Sequence, residues 1–229
     1  MLEVSELRVS YGQSEVIHGV EFAMKRNEAV AVMGRNGMGK TTLFKALIGI
    51  LEIESGSIKL DGQELSGLPS HARVDAGLAY VPQGRMIFPK LTVMENLQAG
   101  LETARAKTVP DEIFSLFPVL QEMRDRKGGN LSGGQQQQLA IARALVSEPK
   151  VLLLDEPTEG IQPSIIKEIA QTLNQLRRMR DITILVSEQV LSFTMDVADR
   201  LLVLESGQLI HEVSREECDA DKISRYLSV

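Results

Sequence analysis

The residues with the most direct chemistry are Gly34-Arg35-Asn36-Gly37-Met38-Gly39-Lys40-Thr41-Thr42. Their spacing is G-x-x-x-x-G-K-[ST], a loop whose backbone N–H groups can turn inward around a phosphate. Glycine permits the backbone such a turn needs, and a helix starting behind it adds positive potential. Lys40 would reach the β- and γ-phosphates of a nucleotide, and Thr41 would offer its hydroxyl to Mg²⁺. The flanks have the required form. Ala29-Val30-Ala31-Val32-Met33 is a short apolar run that reads as a buried strand, and Leu43, Leu47, Ile48 and Leu51 recur at helical spacing.

Three further stretches could act on the same phosphate. Val151-Leu152-Leu153-Leu154-Asp155-Glu156-Pro157 reads as an apolar strand of a parallel sheet covered on both faces, ending in two carboxylates. Asp155 would hold Mg²⁺ through water, and Glu156, one residue further out, could polarise a water beside the γ-phosphate. Gly77-Leu78-Ala79-Tyr80-Val81 reads as another strand, which places Gln83 at its C-terminal end, facing phosphate and metal. Leu131-Ser132-Gly133-Gly134-Gln135 opens a helix with Ser132 as N-cap. Two glycines in a first turn lower helix propensity; either close approach of an anion or a plain helix start would account for them.

The elements that must position these residues follow from the apolar pattern. Leu2, Val4, Leu7 and Val9, then Val16, Ile17, Val20 and Phe22, flank the turn Tyr11-Gly12-Gln13-Ser14 and predict an antiparallel hairpin. Tyr11 at its tip could stack on a flat ligand such as adenine, or simply pack. Residues 55–63 read as a strand and a tight Asp61-Gly62 turn. Residues 91–127 read as mainly helical: Thr92 with Glu95 forms a capping box, and Ile113, Leu116, Phe117 and Leu120 form a stripe. Lys127-Gly128-Gly129-Asn130 is expected to be a flexible turn. Pro163 opens an amphipathic helix carrying Ile165, Ile166, Ile169, Leu173, Leu176 and Met179, with Arg177, Arg178 and Arg180 complementing its dipole. A strand over 181–187, a hairpin about Ser206-Gly207 and a tail helix docked through Ile223, Tyr226 and Leu227 complete the chain.

Composition narrows the function classes. The 229 residues suffice for one sizeable core, and 43% hydrophobic with 24% charged residues is ordinary for a globular chain. A net charge of −6 argues against a general nucleic-acid binder. The single cysteine, Cys218, makes no intrachain disulfide and fits a reducing compartment. With no apolar run near membrane-spanning length and no signal-peptide pattern, a cytoplasmic chain is expected, linked to a membrane only through a partner.

The set GRNGMGKTT, VPQG, LSGGQ and VLLLDEP, in this order, resembles the ATP-binding subunit of ABC transporters over essentially the whole chain. The resemblance implies an α/β fold: a P-loop NTPase core with an antiparallel β-subdomain (about 1–83 and 136–229) and an inserted helical subdomain (about 84–135). It implies ATP and Mg²⁺ as ligands, with ATP sandwiched between two such subunits arranged head to tail. The loop Gly34–Thr42 of one would then face Ser132, Gly133, Gly134 and Gln135 of the other. Tyr11 and Val16 would flank adenine. Lys40 would bind phosphate, Thr41, Gln83 and Asp155 would serve the metal, and Glu156 would be the general base. Met86, Ile87 and Phe88 would lie in the groove that receives a helix from a transmembrane permease subunit, or else pack inside the helical lobe. The family's place is peripheral, on the inner face of the cell membrane.

Two departures from the family pattern are visible. Gln189 stands where most members carry a histidine at the γ-phosphate, and Gln162 stands where they carry an aspartate. An amide can hydrogen-bond there but takes up no proton near neutral pH. His18, His71 and His211 match no catalytic position. With Val81-Pro82-Gln83-Gly84-Arg85, Glu159-Gly160-Ile161 and Glu188-Gln189, the chain looks like importer ATPases for branched-chain amino acids, urea and short amides, the urea type most of all. Those work beside a second, non-identical ATPase. The alternatives are a homodimeric ATPase extracting lipid or lipopolysaccharide and a soluble ABC ATPase outside transport. No coiled-coil insertion, second ATPase half or Asn-Lys-x-Asp guanine motif is present to favour a repair, translation or GTPase reading.

Overall fold

Alternation in β1 (Leu2–Tyr11) and β2 (Ser14–Met24) buries one face of a long antiparallel hairpin, and the turn falls at Gly12-Gln13 as expected. The computed structural model describes residues 1–103 and 107–227. The hairpin is followed by β3 (Ala29–Met33), every residue of which is buried, and by α1 (Lys40–Ile48). Leu51, read as part of the α1 stripe, lies beyond the helix, which stops at Gly49. Next come β4 (Ser55–Leu60), β5 (Gln63–Glu64), α2 (Ser70–Ala76) and β6 (Leu78–Val81). The helical stretch contains α3 (Val93–Ala99), α4 (Asp111–Leu116) and α5 (Pro118–Glu122). The part of the 91–127 expectation at 104–106 lies outside the described residues. Then follow α6 (Gly133–Leu145), β7 (Val151–Asp155), α7 (Pro163–Met179), β8 (Thr183–Glu188) and α8 (Leu191–Val197). The chain ends with β9 (Arg200–Glu205), β10 (Gln208–Ser214) and α9 (Ala220–Leu227). Ser228 and Val229 of the tail motif lie outside the described residues.

Two sheets organise these elements. One is antiparallel, in the order β2-β1-β4-β5; the other is six-stranded, in the order β10-β9-β3-β8-β7-β6. Within the second, β9, β3, β8, β7 and β6 run parallel, and β10 returns antiparallel at the edge. Alternate residues of its central strands enter opposite cores. Ala29, Ala31, Met33, Leu152 and Leu154 face a core shared with α3–α8, while Val30, Val32, Val151 and Leu153 face one shared with α1 and the antiparallel sheet. Both faces are therefore dry, which is why β3 and β7 read as unbroken apolar runs.

Several expectations are corrected. The 127–130 segment is no flexible turn: it forms a 3₁₀ turn in which Gly128 is buried, with Phe88 O 3.1 Å and Ile87 Cδ1 3.0 Å from where a Cβ would be. Met179 is exposed, because α7 rotates its last apolar position past the edge of the core. Arg177 and Arg180 do more than face a helix end: they pair with Asp199 and Glu112. The 113–120 stripe is one apolar surface but two helices, broken at Phe117 ahead of Pro118, and all four of its residues are buried. No helix among the described residues is long and apolar enough to cross a membrane.

Candidate functional site

The parallel strands bring the candidate residues to one level at their C-terminal ends. Met33 stands opposite Glu188, Asp155 opposite Ser187, and Val81 opposite Leu154. From β3 the chain turns through the glycine loop into α1. Gly37 and Gly39 take φ of 82° and 103°, and α1 starts with no side-chain cap and no acidic residue in its first turn. Its first N–H groups are left for an external anion. Lys40 is buried and threads back under the loop, where its Nζ donates to Gly34 O at 2.7 Å and Arg35 O at 3.0 Å. The same ammonium pairs with Glu156 Oε1 at 3.0 Å.

Asp155 is held from three sides. Ser187 Oγ donates to Oδ1 at 2.6 Å, Thr41 Oγ1 to the same oxygen at 3.2 Å, and the Tyr80 hydroxyl to Oδ2 at 3.1 Å. Burial, reinforced by the Asp155 charge, pushes the Tyr80 phenol far above its ordinary pKa, so it remains a donor. Glu156 sits at φ 47°, a left-handed conformation that costs ~1–3 kcal/mol and persists where the surroundings over-determine it. Its N–H donates to both Ser187 O and Ser187 Oγ at 3.1 Å. Its carboxylate accepts from Gln83 Nε2 at 3.2 Å and Gln189 Nε2 at 3.3 Å. Gln189 also donates to Asn36 Oδ1 at 2.6 Å. Strain and convergence thus fall on one residue.

A cavity of roughly 330 Å³ is lined by Val16, Asn36, Lys40, Thr41, Thr42, Gln83 and Glu156 together with Gly37 and Gly39. Thr41, Gln83 and Asp155 offer a hydroxyl, an amide carbonyl and a carboxylate, the hard oxygen donors that suit Mg²⁺. Among the described residues no group of three or more His, Cys, Asp or Glu is arranged to hold a metal by itself. That fits an ion carried largely by phosphate oxygens and water. Of the remaining loop residues, Met38 anchors the loop outward, its carbonyl accepting from Gly207 N at 3.1 Å. Tyr11, at the hairpin tip and 49% exposed, does not line this cavity.

Ser132, Gly133, Gly134 and Gln135 lie away from that cavity as well. Ser132 Oγ accepts from Gln135 N at 3.3 Å and Gln135 Oε1 accepts from Ser132 N at 2.9 Å, a complete capping box. Gly134 has a packing reason: a Cβ there would stand 2.6 Å from Ile165 Cγ2 on α7. Gly133 is covered by Arg85, whose Nη2 donates to Glu159 O at 3.1 Å. Beside them, a second cavity of roughly 290 Å³ is lined by Tyr80, Arg85, Phe88, Glu102 and Arg143, among others. Met86 and Phe88 are 68% and 47% exposed at its edge, whereas Ile87 is half-buried against the helical core. Arg143 lies 5.0 Å from the Phe88 ring and donates to Met86 O at 2.8 Å.

Tyr80, Ser187, Glu159 and Glu188 join the site without having been singled out as parts of it. A signal existed for two of them. Ser187 and Glu188 are polar residues closing an otherwise apolar strand, the same signature that marked Asp155 and Glu156. Tyr80 has none, because its reach to Asp155 depends on which strand lies beside β7.

The chain is similar to known proteins over most of its length. Residues 17–159 match the ABC transporter family. The chain is 41% identical over 213 residues to the high-affinity branched-chain amino acid transport ATP-binding protein BraG of Pseudomonas aeruginosa, covering 92% of this chain and 91% of that one. It is 35% identical over 228 residues to the lipopolysaccharide export system ATP-binding protein LptB of Haemophilus influenzae, covering 97% and 94%. Among solved structures, an ATP-binding subunit of an ABC transporter superposes with a TM-score of 0.83 at 25% identity, covering 99% of each chain.

Proposed function

Since the chain belongs to the ABC transporter family, as one of its ATPases, we propose that it powers uptake through separate permease subunits, with branched-chain amino acids, urea or short amides as cargo. The likeness to a branched-chain amino acid transport protein supports the importer class. The observation that carries the catalytic part is the contact of Lys40 with Glu156 at 3.0 Å beside an uncapped glycine loop. In this reading the loop Gly34–Thr42 and Lys40 bind the ATP phosphates. Thr41, Gln83 and Asp155 would hold Mg²⁺, which when bound neutralises charge on the phosphate oxygens. Glu156 takes the proton of the attacking water, and Gln189 orients that carboxylate while bonding Asn36. Tyr11 and Val16 take the adenine. Ser132, Gly133, Gly134 and Gln135 serve the phosphates bound by a second ATPase subunit.

The helical subdomain is assigned to about 84–135, and its exposed Met86 and Phe88 to the permease contact. Through that contact the chain would sit on the inner face of the cell membrane. The deciding experiment is the light-scattering mass of Glu156→Gln with and without ATP. A monomer that binds ATP supports a non-identical second ATPase and the importer class. Doubling of the mass with ATP alone would favour the homodimeric, lipopolysaccharide-type reading, which the likeness to LptB keeps in view. In the assembled transporter the same substitution lowers turnover by roughly 10²–10⁴ if Glu156 is the base. Near-normal hydrolysis would remove it from that role. Gln189→His should add a titration near about pH 6–7 to the rate profile. An unchanged profile would place residue 189 away from the reacting phosphate.

A further inference from the structure

Glu188 closes β8 with a carboxylate that is 2% exposed and takes no part in the hydrolytic roles above. No lysine or arginine pairs with it among the described ion pairs. Its partners come from two separate loops: three backbone N–H groups and the Thr158 side chain. Oε1 accepts from Thr158 N at 3.0 Å, and Oε2 accepts from Gln189 N at 2.9 Å and Val190 N at 3.1 Å. Burial pushes its carboxyl above the ordinary range, and the bonds from Thr158, Val190 and Gln189 pull the other way. A charge left alone there would be costly, so a carboxylate at this position is tolerable only because those donors converge on it.

The two loops it joins are the ones that carry Glu156 and Gln189. Thr158 lies two residues past Glu156 in the turn that leaves β7, while Gln189 and Val190 form the turn that leaves β8. Between them Gln189 Nε2 meets Glu156 Oε1 at 3.3 Å. We propose that Glu188 is a positioning residue: its carboxylate ties the 156–158 turn to the 189–190 turn and so holds Gln189 against Glu156. Glutamate suits the task in a way glutamine does not. Both carboxylate oxygens accept, whereas an amide would turn a donor NH₂ toward at least one of the three N–H groups. The consequence for catalysis rests on the proposed roles of Glu156 and Gln189. The clamp itself rests on the hydrogen bonds alone.

The test uses the full chain for exchange and binding and the assembled transporter for turnover. In Glu188→Gln, amide hydrogen exchange should accelerate about tenfold or more at Thr158, Gln189 and Val190 together, the cost of one or two charged hydrogen bonds. ATP affinity should stay within about twofold, since Glu188 itself bonds neither Lys40 nor the glycine loop, while turnover falls about tenfold on the same scale. Placed on a Gln189→Ala background, the substitution should add less than about a twofold further loss, because its effect passes through residue 189. Faster exchange in only one of the two turns, or losses that multiply in the double variant, would overturn the proposal. A silent Gln189→Ala would instead remove the role given to Gln189, and the paired or unpaired exchange would then still decide the clamp. Should Glu188→Gln fail to fold, Glu188→Asp keeps the charge, shortens its reach by one methylene and is read in the same assays.

Discussion

Two glycine-bearing helix starts, at α1 and α6, look alike as strings and differ in construction. At α1 Gly37 and Gly39 adopt left-handed backbone, the first turn has no cap, and the space where Gly37 would carry a Cβ is open, while a Cβ on Gly34 would meet Leu204 O at 2.5 Å. At α6 the first turn is closed by Ser132 and Gln135, and Gly134 is required because Ile165 of α7 lies against it. One helix end leaves its donors for a ligand of its own chain. The other caps the N–H groups of Ser132 and Gln135 within the chain and packs Gly134 against α7, with Gly133 lying under Arg85. Gly37 therefore reports backbone freedom alone, Gly134 lack of room alone, and Gly39 both, since its Cβ would lie 2.9 Å from Ile17 Cδ1.

The largest effect that would sharpen this contrast is expected from Lys40→Ala. Removal of this charged donor should weaken ATP binding about 10- to 100-fold, with a stability cost of ~1–3 kcal/mol from the Gly34 and Arg35 carbonyls and Glu156 left unpaired. Titration with a fluorescent ATP analogue checks it, and unchanged affinity would break the assignment of the α1 site. Gly134→Ala should act on stability alone. Overpacking against Ile165 should cost ~1–3 kcal/mol of stability while ATP affinity holds, and Ile165→Ala should recover part of the loss. Denaturant unfolding reads both, and an unaffected midpoint would show that α6 and α7 can separate freely. The smallest effect belongs to Ser132→Ala, which should cost ~1 kcal/mol through loss of the N-cap. Coupled to it, Gln135→Ala should add less than its own single cost, since both residues share one capping box.

Legibility followed the range of the interactions. The glycine loop, β3 and α1 were readable because a strand, a turn and a helix adjacent in the chain make up the whole device. The carboxylates at the end of β7 were readable for the same reason. The capping box completed by Gln135 was within reach of the sequence as well, since S-x-x-Q is a local pattern. The packed turn at 127–130 was misread because its glycines answer to Ile87, Phe88 and Pro89, some 40 residues earlier in the chain. Met179 was misread because a helical stripe marks which face is apolar but not how far along the helix the core extends.

Taken alone, the order of local signals pointed to a nucleotide-phosphate binder, to where α1, α3, α6 and α7 begin, and to which carboxylates end the buried strand. Those properties depend on backbone conformation and on the period of apolar residues, both of which act over a few positions. Only the tertiary structure decided what the remaining polar residues do. Parallel pairing sets Ser187 beside Asp155, and β6 brings the Tyr80 hydroxyl to the same carboxylate. The turns after β7 and β8 surround Glu188 with N–H groups that are remote in sequence. A buried charge acquires its meaning from whatever shields it from the low-dielectric interior, and those partners are chosen by strand order rather than by neighbours along the chain.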